Sequence, residues 1–395
     1  MRKPPIWWHL FDVTVISQLK QGLNLVRVGR KVSGVPVRAL NLRDGEVGDT
    51  AFFTNRDPAQ LTPEQVAAGP TRPEDVATPP FRITKLKGEG KTPGFFVTDA
   101  KGARYLFKLD PTEASELLSG AETVTSKLLY ALGYHVPSYE VVWVRPEEVQ
   151  VDPDVLSHTA EGASRPFAQA DLERLLEGRS QEGVFRVAAS KILDGEVLGP
   201  GSFKRFRDCA DVRALRLAYA WVNNIDAKDH NSLLVWDGTR TVGYLIDFGT
   251  SLGADAGKAG PKHPCAGWLN IVDLREASLK VLTLGLHDPP CSLESGQPVS
   301  PRVGFFTTTF DPDDWKPYAP NLAFEEMNQQ DGRWIARRMA RLSRAQIEAA
   351  VSAGRYSDPS DAAYLVDTLD QRRAAILEEY LDEDEDKEPM KEAAR

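Results

Sequence analysis

The apolar residues change period along the chain, and the changes divide it. FRITKL, GFFVTD and ARYLFKL, between Phe81 and Leu109, are short runs rich in β-branched and aromatic residues; the turn Ala100-Lys101-Gly102 separates the last two. They predict three strands. In SELLSGAETVTSKLLYALG the apolar positions recur at helical spacing, with Gly133 placed as a C-cap. YEVVWV and, after a Pro-rich and acidic connection, GVFRVAASKIL read as two further strands. DCADVRALRLAYAWVNN returns to the helical period. Beyond residue 262 the chain is loop-rich and then helical. NLAFEEMNQQDGRWIARRMARL, SRAQIEAAVSAG and SDAAYLVDTLDQRRAAILEEYL each carry a Ser or Asn near the start, where a helix needs an N-cap.

The expected class is α+β with two lobes: a β-rich lobe over residues 81–195 and a helical lobe over 196–381. Residues 1–80 mix short apolar runs with Pro/Gly-rich loops such as GPTRPEDVATPP, and read as an extended wrap or linker. Trp7, Trp8, Phe52 and Phe53 in this region are expected to be packing residues. Residues 382–395 form an acidic tail, expected to be disordered.

At 395 residues the chain exceeds one typical domain, in keeping with two lobes. A net charge of −9 gives no argument for a nucleic-acid partner. Cys209, Cys265 and Cys291 are too few and too irregular for a disulfide framework or a zinc site, and a Cys265–Cys291 bridge would require export. No apolar run is long enough to span a membrane. Two prolines, His9 and Asp12 interrupt the start, so it reads as neither signal peptide nor anchor, and the expected location is cytoplasmic unless the true start lies upstream.

The candidate chemistry lies in NNIDAKDHNSLLVWDGTRTVGYLIDFG, from Asn223 to Gly249. Phosphoryl transfer needs a carboxylate for the acceptor hydroxyl, oxygen ligands for magnesium and a cation on the nucleotide phosphates. Asp226 and Asn231 stand five residues apart, with Lys228 between them where an ammonium could reach the transferred phosphate. A hairpin through the turn GTR would return Asp247 beside Asn231, so that two oxygen ligands meet one ion. Upstream, Lys108 ends a strand and Glu122 sits on the next helix, an arrangement suited to aligning nucleotide phosphates. In KGEGKTPG, between the first two strands, the backbone of Gly88, Gly90 and Gly94 could approach phosphate oxygens, with Lys91 nearby.

This order of elements resembles the protein-kinase-like superfamily. NNIDAKDHN resembles the catalytic loop of HipA-type bacterial kinases and of phosphoinositide kinases, and LIDFGTSLG is close to a segment of the latter. The resemblance spans about residues 82–255. It implies a bilobal kinase-like fold, ATP as nucleotide, and magnesium as the ion, with manganese as a possible substitute. It also implies Asp226 as the catalytic aspartate, Asn231 and Asp247 as metal ligands, and Lys108 with Glu122 as the phosphate-positioning pair. The acceptor is a hydroxyl of unknown identity. Asn224-Ile225 stands where eukaryotic kinases have His-Arg, no Ala-Pro-Glu follows Gly249, and the glycine turn departs from G-x-G-x-x-G because Pro93 follows Thr92. The same residues leave open a nucleotide-binding scaffold without activity, or an AMP transferase.

Other features have plainer readings. GEGKT is not a phosphate-binding P-loop, since Lys85 stands where the first glycine belongs and a strand follows it. His230 reads as a hydrogen-bonded structural histidine. Asn223 and Asn224 are expected to end the preceding helix. GFFTTTFDPDDWKPYAPN reads as a packed loop, and Lys258, Lys262 and His263 as parts of a solvated one.

Overall fold

The computed structural model describes residues 5–88, 91–158, 164–287, 291 and 297–381. Gly90 of the expected glycine turn and the tail from residue 382 lie outside them. The fold is α+β and bilobal, with a β-rich first lobe and a helical second.

Seven strands build the first lobe around β1 (Phe81–Leu86), β2 (Gly94–Thr98) and β3 (Arg104–Leu109), which pair antiparallel in sequence order. β4 (Tyr139–Val144) joins further along, β5 (Val149–Val151) runs parallel beside β1, and β6 (Ser180–Gln181) and β7 (Val184–Lys191) complete the sheet. β7 is central, pairing β3 on one side and β4 on the other. Gly94 is required by the ladder: a Cβ there would stand 2.5 Å from the Phe107 carbonyl oxygen. Phe81, Ile83, Phe95, Val97, Phe107 and Leu109 fill a core on one face. Alternation along β3 then turns Lys108, between Phe107 and Leu109, to the opposite face.

That face receives the helix Leu117–Leu132. Asp110 starts it by accepting the Leu118 and Ser119 N–H groups, each at 2.9 Å, and Gly133 ends it at φ +110° as the C-cap expected from the sequence. The helix is buried on nearly every side, because it packs against the sheet and also against the second lobe.

The second lobe centres on the buried helix Ala210–Trp221. Its last carbonyls, Ala220 and Trp221, accept hydrogen bonds from Arg372 of the long helix Pro359–Leu381, a cation placed at a helix C-terminus. The helices Gln329–Ala340 and Arg344–Ala353 begin at Asn328 and Ser343, whose side chains close capping boxes. Three strands, β8 (Glu196–Gly199), β9 (Ser232–Trp236) and β10 (Thr241–Leu245), form a separate sheet. Asp237 shapes its hairpin turn by accepting from the Thr239 and Arg240 N–H groups.

The region before residue 80 differs from an extended wrap. Ile6–Phe11, Ser17–Gly22 and Leu25–Ser33 are helices, the first two joined by a π-helical turn. Phe52 and Phe53 are buried in the core as expected, but Trp7 is 65% exposed and Trp8 45%. Later residues touch both lobes: Gln346 Nε2 donates to the Pro58 and Leu61 carbonyls, and Lys127 Nζ donates to the Ala68 and Tyr139 carbonyls and pairs with Glu140. Cys265 and Cys291 are joined in a disulfide. Among the described residues no helix is long and apolar enough to cross a membrane.

Candidate active site

The helix Ala210–Trp221 delivers the chain into the cleft. Asn223 turns it at φ +49°, and the Asn223 and Asn224 N–H groups bond back to Ala220 and Tyr219, ending the helix as expected. Their side chains do more. Asn224 Oδ1 accepts the Thr250 hydroxyl at 3.0 Å, and Asn223 Oδ1 accepts the Trp315 indole N–H at 2.9 Å. The helix end is thus fastened to the segment after Gly249 and to the loop Gly304–Asn321.

Asp226, Lys228 and Asn231 form one cluster. Lys228 pairs with Asp226 Oδ2, and Asn231 Nδ2 donates to the same oxygen at 3.0 Å and to the Asp226 carbonyl at 2.9 Å. Asp229 faces away and accepts the Phe203 N–H. The hairpin β9–β10 closes as expected: Ser232 is opposite Leu245, and the Ile246 N–H donates to the Asn231 carbonyl at 3.0 Å. Asp247 therefore follows directly on the residue bonded to Asn231. It adopts φ +63°, a left-handed conformation that costs energy in a non-glycine residue. Its N–H donates to Tyr139 Oη at 3.2 Å, and the Tyr139 ring packs on Phe248 at 5.6 Å between centres.

From the first lobe comes Lys108. Its Nζ lies 2.5 Å from Glu122 Oε1 and 2.8 Å from Asp247 Oδ1, so the strand lysine joins both lobes. Burial alone would lower the Lys108 pKa, but the Asp247 and Glu122 carboxylates hold it well above the usual range. Burial raises Glu122, with Lys108 opposing. Burial would raise the Asp247 carboxyl, but Lys108, with Lys228 and Lys87 adding to it, outweighs that and leaves it at about 2. The Asp247 side chain is still 42% exposed, so an ion entering the cleft can reach it.

The donor set fits a divalent cation. Asp247 supplies an ionised carboxylate, and Asn231, whose amide nitrogen is committed to Asp226, has Oδ1 to offer. The expected glycine turn contributes less. Gly88 and Lys91 are exposed, and neither makes a hydrogen bond or ion pair to Lys108, Glu122 or Asp247. Gly94 lies in the sheet ladder. The turn does reach the second lobe through Thr92, whose hydroxyl donates to the Ala256 carbonyl at 3.4 Å.

Two supports escape the sequence reading. Tyr139 opens β4 as an ordinary inward strand residue, and only its hydroxyl hints at a partner. Lys262, expected in a solvated loop, is buried: its Nζ donates to the carbonyls of Asn223, Thr250 and Leu252 at 2.5, 2.8 and 2.8 Å. One side-chain nitrogen thus ties the start of the Asp226 loop to the segment after Gly249. The loop Gly304–Asn321 braces the same place as a packed loop. The Tyr318 N–H donates to the Ile225 carbonyl at 2.7 Å and Asn321 Nδ2 to that of Ala227 at 3.0 Å.

No protein-family model matches the chain, and no curated protein does. Solved structures similar to it include the Helicobacter pylori proinflammatory kinase CtkA, at 11% identity and a TM-score of 0.40 over 77% of this chain and 97% of that one. The Golgi casein kinase matches at 9% identity and a TM-score of 0.32, over 95% of this chain and 92% of its own. Its form with Mn/ADP bound matches at 11% and 0.30, over 68% and 74%. Likeness at this level carries no weight on activity, and the functional reading rests on the geometry of the cleft.

Proposed function

We propose that the chain is an ATP- and magnesium-dependent phosphotransferase acting on a hydroxyl acceptor. The observation that supports this most is Lys108 held between Glu122 and Asp247, with the Asp226–Lys228–Asn231 cluster one hairpin step away. In this reading Asp226 orients the acceptor hydroxyl and takes its proton as the new oxygen–phosphorus bond forms and the bond to the leaving ADP breaks. Lys228, already paired with Asp226, neutralises charge on the moving phosphoryl group, while Lys108 aligns the phosphates. Asn231 and Asp247 hold the metal, whose bound form supplies charge neutralisation on the phosphate oxygens.

The test is the Asp226→Asn variant. It should retain the thermal shift produced by ATP and magnesium and lose turnover, read as ADP release and as a phosphate mass shift on acceptors. Retained turnover would remove Asp226 from its role. An adenylate mass shift would redirect the reading to AMP transfer.

A further inference from the structure

The helical arm Ile6–Ser33 has two unlike sides. One is fastened to the second lobe: His9 is buried edge-on against His230, Gln18 donates to Glu325 at 2.7 Å, and Arg27 pairs with Glu325 and Glu326. The other side shows large apolar groups to solvent. Trp7, Trp8 and Phe11 form an exposed aromatic cluster, with ring centres 5.8 and 6.0 Å apart, and Leu23, Leu25 and Val32 are exposed beyond it. Exposed apolar groups in such numbers mark an interaction surface.

Charge identifies the occupant. Between residues 5 and 43 the chain carries six lysines and arginines against Asp12 alone, within a protein of net charge −9. Past the arm, a cavity of about 360 Å³ is lined by Arg38, Arg333 and Arg337, with Asp44 as the one carboxylate among its lining residues. A basic helical arm that exposes Trp, Phe and Leu along its length is the pattern of an element lying in a membrane interface. A second copy of the chain would bring an equally basic face against this one, which like-charge repulsion opposes.

A second apolar flank is tied to the segment that braces the Asp226 loop. Ile271, Val272, Val281, Leu282, Leu284 and Leu286 are exposed around the helix Leu274–Leu282. This flank is tied to Lys316 and Tyr318, and the arm to Glu325 and Glu326. Between those anchors, Tyr318 and Asn321 hold the Ile225 and Ala227 carbonyls. The two flanks are therefore mounted on opposite ends of one segment whose middle supports the loop of Asp226.

We propose that both flanks seat on an anionic lipid bilayer, with the basic arm as the principal contact and the loop of Asp226 between them. The inference goes beyond the phosphotransfer reading and does not depend on it. The full chain should float with vesicles of equal parts phosphatidylcholine and phosphatidylserine, stay behind with phosphatidylcholine alone, and be released by high salt. Lys20→Gln/Arg30→Gln should weaken the partition by roughly twenty-five-fold, since each basic residue near such a surface contributes about fivefold. Trp7→Ser/Trp8→Ser should abolish flotation. All four positions are exposed, so both variants should melt with the parent chain. The proposal is overturned by absence of flotation on the anionic vesicles, or by flotation unchanged in both variants. A lipid-free dimer dissolved by Trp7→Ser/Trp8→Ser would also overturn it, by assigning the surface to a second copy.

Discussion

Tyr139 Oη accepts the backbone N–H of Asp247 at 3.2 Å, so a first-lobe strand fixes a second-lobe residue in a left-handed conformation. Removing that acceptor leaves a peptide N–H without its partner. Tyr139→Phe should destabilise the protein by about 1–2 kcal/mol and lower kcat/KM more than tenfold, while nucleotide still binds. Paired melting curves and steady-state kinetics check it.

Asp247 itself is expected to matter for the metal. Asp247→Asn removes the ionised carboxylate and should weaken the magnesium-dependent binding of ATP by about tenfold or more, with little effect on metal-free ADP binding. Titration calorimetry with and without magnesium separates the two.

Lys262 predicts a coupled loss. Lys262→Met leaves the Asn223, Thr250 and Leu252 carbonyls without their shared donor and should cost about 3 kcal/mol or more, with activity falling alongside stability. Glutamine should not rescue it, because one amide cannot reach three acceptors on two segments. A variant that melts with the parent would contradict the staple.

Asp75 gives a pH dependence. Hydrogen bonds from Arg72 and the pairing with Lys191 lower its carboxyl to about 2. A carboxyl depressed in the folded state adds stability above its unfolded pKa, and that gain disappears as pH falls from about 4 to about 2. With Arg72 largely exposed, solvent screening reduces the contribution to about 1–2 kcal/mol. Asp75→Asn should flatten the loss of melting temperature across that acid range.

The Cys265–Cys291 bridge closes a ring of chain that carries the exposed Ile271, Val272, Val281, Leu282, Leu284 and Leu286. Brief chymotrypsin treatment should cut near the exposed Leu282 or Leu284 as well as in the exposed Trp7–Phe11 stretch, where cleavage trims only the chain's first residues. The nicked chain should stay in one piece on a non-reducing gel and separate into two when reduced.

Much of the cleft was legible because its parts are local in sequence or follow a period. β-Strand alternation sets the side from which Lys108 projects, the helical run around Glu122 places that carboxylate beneath it, and one hairpin returns Asp247 to Asn231. Lys262 was misread because its partners are backbone carbonyls, which leave no trace in residue identity. Trp7 and Trp8 were misread for a related reason: apolar character tells that a side chain gains by being covered, and says nothing of whether this chain covers it. Tyr139 needed knowledge of which strand end meets Asp247, a matter of tertiary register. The glycine turn was overread, since Gly94 answers to the close approach of Phe107 across the sheet.

The helix Leu117–Leu132 belongs to the first lobe by sequence order, yet Leu117, Val124, Leu128 and Leu129 pack in the same core as the helices of the second, while the sheet's far face has a core of its own. Lys108 stands on the sheet and Glu122 on a helix that shares the second lobe's core, so their pairing at 2.5 Å ties the sheet to that core. A substitution that breaks this one pair would therefore loosen the hold of one lobe on the other as well as disturb the cleft.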